Sequence, residues 1–124
     1  MNTYNLEKVK IESSTFYNNK ATLNEAGGAY LNLIGDVEVI STLFANNYAG
    51  LYSGGMTAYM CTDVTVSGSA FDGNIAGQWA GALNIEEVTD FTIKTSIFTG
   101  NQDLCSNCEV SLKAFHICPQ KLRS

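Results

Sequence analysis

The feature that most constrains this chain is a repeat. Phe44-Ala45-Asn46-Asn47, Phe71-Asp72-Gly73-Asn74 and Phe98-Thr99-Gly100-Asn101 recur at steps of 27 residues, and Phe16-Tyr17-Asn18-Asn19 stands 28 residues before the first of them. A second signature keeps the same step: Gly27-Gly28-Ala29, Gly54-Gly55-Met56 and Gly81-Ala82-Leu83. A third runs as Asp36-Val37-Glu38-Val39, Asp63-Val64-Thr65-Val66 and Asp90-Phe91-Thr92-Ile93, with Lys8-Val9-Lys10-Ile11 as its N-terminal copy. Three motifs on one period make chance a poor explanation. Self-similarity of this kind marks a solenoid, in which one unit cannot bury its apolar face alone but stacked units share a core.

Inside each unit the apolar residues alternate. Ala29, Leu31 and Leu33 flank Tyr30 and Asn32, and Val64 and Val66 flank Thr65. That is the period of a strand with one buried face, not of a helix. Gly, Asn, Ser and Asp separate the short runs, as turns require. Leucine-rich repeats have a similar length, but their leucine spacing is missing. The expected fold is all-β: a right-handed parallel β-helix of about four 27-residue coils over residues 1–103, followed by a short cysteine-containing tail over residues 104–124. The hand is taken from the general rule for parallel crossovers.

Stacking turns sequence columns into contacts, because neighbouring coils lie about 4.8 Å apart. Phe16, Phe44, Phe71 and Phe98 are expected to form an internal aromatic ladder. Asn19, Asn47, Asn74 and Asn101 are expected to form an asparagine ladder that satisfies backbone groups at a turn. Gly28 and Gly55 mark a corner that needs either positive φ or close packing, a requirement that Ala82 in the same column weakens. The longer first interval calls for one extra residue between Asn19 and Gly27.

The pairing of Gly-Gly-Ala with Phe-x-x-Asn over residues 9–101 resembles the repeats of polymorphic outer-membrane (autotransporter) proteins and of large β-helix surface proteins of protists. The resemblance implies a pectin-lyase-like β-helix that displays a long surface for adhesion or serves as a shaft. It places the chain outside the cell or on its surface. The implied role is a structural or adhesive module, assembling end to end into a filament or a larger surface protein. The implied partners are further copies or neighbouring β-helix and cysteine-rich segments.

Catalysis and ligand binding are the competing readings. Pectin-lyase-like folds also carry lyases and glycoside hydrolases, and hydrolysis needs two carboxylates across one bond. Asp36, Asp63 and Asp90 share a column that could cap turns or attract Ca²⁺, and Glu86-Glu87 form a second acidic spot. The paired Asp and Arg or Lys motifs of pectinolytic relatives are missing, so the chain is not expected to be an enzyme, and no cofactor is expected. Trp79 with Tyr48, Tyr52 and Tyr59 suggests either ordinary packing or an aromatic strip for glycan or protein.

The net charge of −5 argues against nucleic acid, since no basic patch is present to displace counterions. No apolar run reaches the roughly 18–20 residues of a membrane span. The opening residues lack the apolar core of a secretory signal, as expected of a mature or internal piece of a longer product. Residues Met1 to Leu6 are polar and suit a cap over one end of the stack.

In the tail, Cys105, Cys108, His116 and Cys118 spell C-x2-C-x7-H-x-C. Disulfides among Cys105, Cys108 and Cys118 are the leading expectation, with zinc and free thiols as alternatives. This stretch resembles the opening of an EGF-like or growth-factor-receptor-like repeat. Cys61 shares a column with Ile34 and Val88 and is expected to be a buried, inert thiol.

Overall fold

A computed structural model describes residues 2–23, 26–104 and 115–118, with side chains over 7–23 and 26–104. The chain forms β1 (Asn2–Glu12), β2 (Thr15–Tyr17), β3 (Lys20–Ala21), β4 (Ala29–Ile40), β5 (Leu43–Ala45) and β6 (Tyr48–Ala49). These are followed by β7 (Met56–Tyr59), β8 (Asp63–Ser67), β9 (Ala70–Asp72), β10 (Ile75–Ala76) and β11 (Leu83–Glu86). The last are β12 (Asp90–Lys94), β13 (Ile97–Thr99), β14 (Gln102–Asp103) and β15 (Phe115–Cys118). Every named pairing is parallel, and three sheets run along the stack. The first joins β1, β4, β7, β8, β11, β12 and β15; the second is β2-β5-β9-β13; the third is β3-β6-β10-β14. This is the parallel β-solenoid that the repeat calls for.

Left-handed backbone makes the bends, and it too recurs by column. Ser13, Ser41, Gly68 and Thr95 have φ of 51°, 49°, 57° and 50° at the bend before the second sheet. Asn18, Asn46, Gly73 and Gly100 have φ of 60°, 55°, 66° and 64° before the third. Leu33, Met60 and Glu87 (φ 61°, 58° and 56°) fold the first sheet into two halves. Side chains other than Gly or Asn pay about 1–2 kcal/mol in this region. The ladder of hydrogen bonds on both sides of each bend must offset that cost.

Between the bends, alternation sends one set of side chains inward. Val37, Val39, Val64 and Val66 are at most 1% exposed, and Phe44 and Phe71 are fully buried. Sizes compensate between two adjacent coils, where Ala29 lies opposite Met56 and Leu31 opposite Ala58. The end coils are more open, with Val9, Phe16, Phe91, Ile93 and Phe98 only partly buried.

Gly28 and Gly55 are required by packing, not by φ. A Cβ on Gly28 would come within 2.5 Å of the Gly55 carbonyl oxygen, and one on Gly55 within 2.3 Å of that of Ala82. The extra residue of the first interval is also located. Ala21 pairs with Ala49 at a step of 28, but Ala26 bridges Ser53 at 27, so the insertion lies within 22–25.

The N-terminal end of the stack departs from the expectation. Asn2–Leu6 is not a cap laid across the end, because it pairs in register from Asn2 opposite Tyr30 to Leu6 opposite Ile34 as a further rung of the first sheet. At the other end β15 adds a rung beyond residue 103. Phe115 lies opposite Leu83, 32 residues on, so the period lengthens there.

Candidate functional site

The two ladders assemble as their columns dictate. Ring centroids are 4.8 Å apart for Phe16 and Phe44, 4.7 Å for Phe44 and Phe71, and 4.9 Å for Phe71 and Phe98, with planes within 5° of parallel. The rung spacing imposes that near face-to-face stack. In the asparagine ladder each Oδ1 accepts from the backbone N–H and the Nδ2 of the asparagine one coil earlier. The Asn47 N–H and Nδ2 both donate to Asn74 Oδ1 at 3.0 Å, and those of Asn74 donate to Asn101 Oδ1 at 3.0 and 2.9 Å. The Nδ2 of Asn74 also donates to the Phe44 carbonyl at 2.9 Å, tying one ladder to the other. Asn19 opens the series with both donors on Asn47 Oδ1.

A third ladder escaped the sequence reading. Backbone N–H groups of Ser14, Thr42 and Ser69 donate to the hydroxyls of Thr42, Ser69 and Ser96, and each hydroxyl in turn donates to the carbonyl two residues before it. The signal was present: a Ser or Thr stands two residues before every ladder Phe. Hydroxyls at turns are so common that this one reads as turn chemistry until the column is seen.

Asp36, Asp63 and Asp90 lie opposite one another at the starts of successive rungs. Among the described residues, no backbone N–H donates to these three carboxylates. Asp63, between the other two, has its carboxyl pushed above the usual carboxylate value by partial burial, then by the hydrogen bond and charge of Asp90 and those of Asp36. Among the described residues no three His, Cys, Asp or Glu side chains are grouped as metal ligands would be. Lys8 continues the column below Asp36, but its Nζ is 3.5 Å from Glu38 Oε2 in the next column.

The aromatic residues divide into two places. Tyr48 is on the third sheet, with Lys20 Nζ 5.6 Å from its ring centroid. Tyr52 and Trp79 occupy equivalent corners of adjacent coils, with centroids 6.0 Å apart and planes tilted by 55°. Beside them a cavity of about 220 Å³ opens on the outer side of the first sheet, lined by Tyr30, Tyr52, Thr57, Tyr59 and Glu86. Tyr30 and Thr57 are neighbours in one outward column, Tyr59 and Glu86 in the next. Tyr30 has no periodic partner of its own type, which is why sequence columns did not select it.

Asn84, the residue beyond Thr57 in its column, is 1% exposed, and neither Nδ2 nor Oδ1 has a hydrogen-bond partner among the described residues. Cys61 is 4% exposed in the core with Ile34 and Val88, and burial pushes its thiol upward against the opposing effect of hydrogen bonding with the Ile34 and Tyr59 backbone. Cys105 and Cys108 lie outside the described residues. Cys118 and His116 are placed only through the backbone of β15, opposite Glu86 and Asn84.

No family model, curated protein or solved structure matches the chain.

Proposed function

We propose that these coils are a structural shaft in an extracellular or cell-surface adhesive assembly, extended by stacking further coils end to end. The observation that carries this reading is the polarity of the asparagine ladder. Among the described residues, Asn19 Oδ1 accepts no hydrogen bond and the Asn101 N–H donates none, so one end offers an acceptor and the other a donor. A coil of the same kind meets the N-terminal end without altering the pattern, and at the other end it would stack beyond β15, which already pairs with β11. Parallel rungs with unpaired edges favour such continuation. The surface location rests on the repeat resemblance.

Electron microscopy and light scattering of the purified chain test the proposal, with and without reductant. Filaments that give a reflection of about 4.8 Å along their axis are the expected result. A monodisperse monomer in both conditions overturns end-to-end assembly.

A further inference from the structure

The groove beside Trp79 opens on the outer side of the first sheet, away from the core. It is built from outward positions that the core does not use, and its residues do not repeat. Three phenol rings, Tyr30, Tyr52 and Tyr59, line it together with one carboxylate, Glu86. Glu86 has no ion-pair partner among the described residues. Trp79 packs against Tyr52 at the groove's rim and is 41% exposed.

Ligand class follows from these groups. Aromatic faces carry negative potential and attract cations, and arrays of them are suited to quaternary ammonium groups, which cannot donate strong hydrogen bonds. A neighbouring carboxylate adds to that potential and repels phosphates and acidic sugars. Size decides against a long chain. Pockets for drug-sized ligands begin near 300 Å³, whereas this one is about 220 Å³. We propose that Tyr30, Tyr52, Tyr59 and Glu86 form an aromatic and carboxylate cage for a small alkylammonium group.

Trp79 is the chain's one tryptophan and stands 6.0 Å from a cage ring, so its fluorescence reports occupancy. The chain is titrated with choline and with tetramethylammonium, each against sodium chloride at equal ionic strength. A saturable change with both cations and none with sodium is expected. Tyr59→Ala should weaken it at least tenfold and Glu86→Gln several-fold, with the circular dichroism of both variants unchanged. Phosphocholine separates the two sources of such a group: binding as tight as choline's points to a lipid headgroup, and weaker binding to the free cation. Absence of saturation with either cation overturns the proposal. So does tighter binding of the neutral disaccharide cellobiose that Glu86→Gln leaves unchanged, since that makes the groove a sugar site. Filament formation does not enter these readouts, so the cage and the shaft fail independently.

Discussion

Asn74 and Asn84 are ten residues apart, both are buried to within 1%, and they live in opposite circumstances. Asn74 gives both amide donors and its acceptor to hydrogen bonds that link three coils. Asn84 bonds through none of its amide atoms among the described residues. Their columns explain the difference. Asn74 has an asparagine above and below, so its partners arrive with the repeat. Asn84 stands next to Thr57, in a column that also holds Tyr30. Burial alone says little about what a polar residue contributes; the column it belongs to says much more.

The comparison can be broken by substitution at the two places. Phe71→Ala, in the aromatic column that Asn74 ties down, should lose about 4 kcal/mol of stability, as large core truncations do. Urea denaturation with an unchanged slope would measure it. A loss below about 1 kcal/mol would mean that the stacked rings are not the core. Asn74→Ala comes next, at about 3 kcal/mol, because it leaves the buried Asn47 N–H and the Phe44 carbonyl without their side-chain partner.

Asn84→Ala sharpens the contrast from the other side. It removes no hydrogen bond, and relieving an unpaired buried amide offsets much of the lost packing, so the change should stay under about 1 kcal/mol. Equal losses for the two asparagines in the same denaturation series would erase the distinction drawn between them.

The smallest effect is expected outside the core, at Asp63. Its carboxyl is raised in the fold, so the folded state holds a proton that the unfolded chain releases. Stability from this group is therefore fullest below the ordinary value of about 3.9 and is lost as pH rises through the raised one. Asp63→Asn should increase the melting temperature at pH 7, and the gain should fade as the pH is lowered below about 4. A gain of equal size at pH 3 would show that charge is not its cause.

What the sequence determined by itself was everything that repeats. In a stack, residues one period apart touch, so the columns Phe16-Phe44-Phe71-Phe98 and Asn19-Asn47-Asn74-Asn101 are contact lists written in the chain. The parallel sheets follow from the same fact, and the hydroxyl column two residues before each Phe was legible on the same terms. Tertiary structure decided what does not repeat. Tyr59 and Glu86 share a column, but Tyr30 and Tyr52 stand at other positions, and no spacing rule joins them to that column until the coil closes. Close approach of successive backbones, rather than a left-handed φ, fixes Gly28 and Gly55, and only the path of the chain distinguishes those causes. Asn2–Leu6 and Phe115–Cys118 read as polar or irregular ends, yet both pair as rungs. A strand at the end of a stack takes its hydrogen bonds from the neighbouring backbone, which offers them whatever the side chains are.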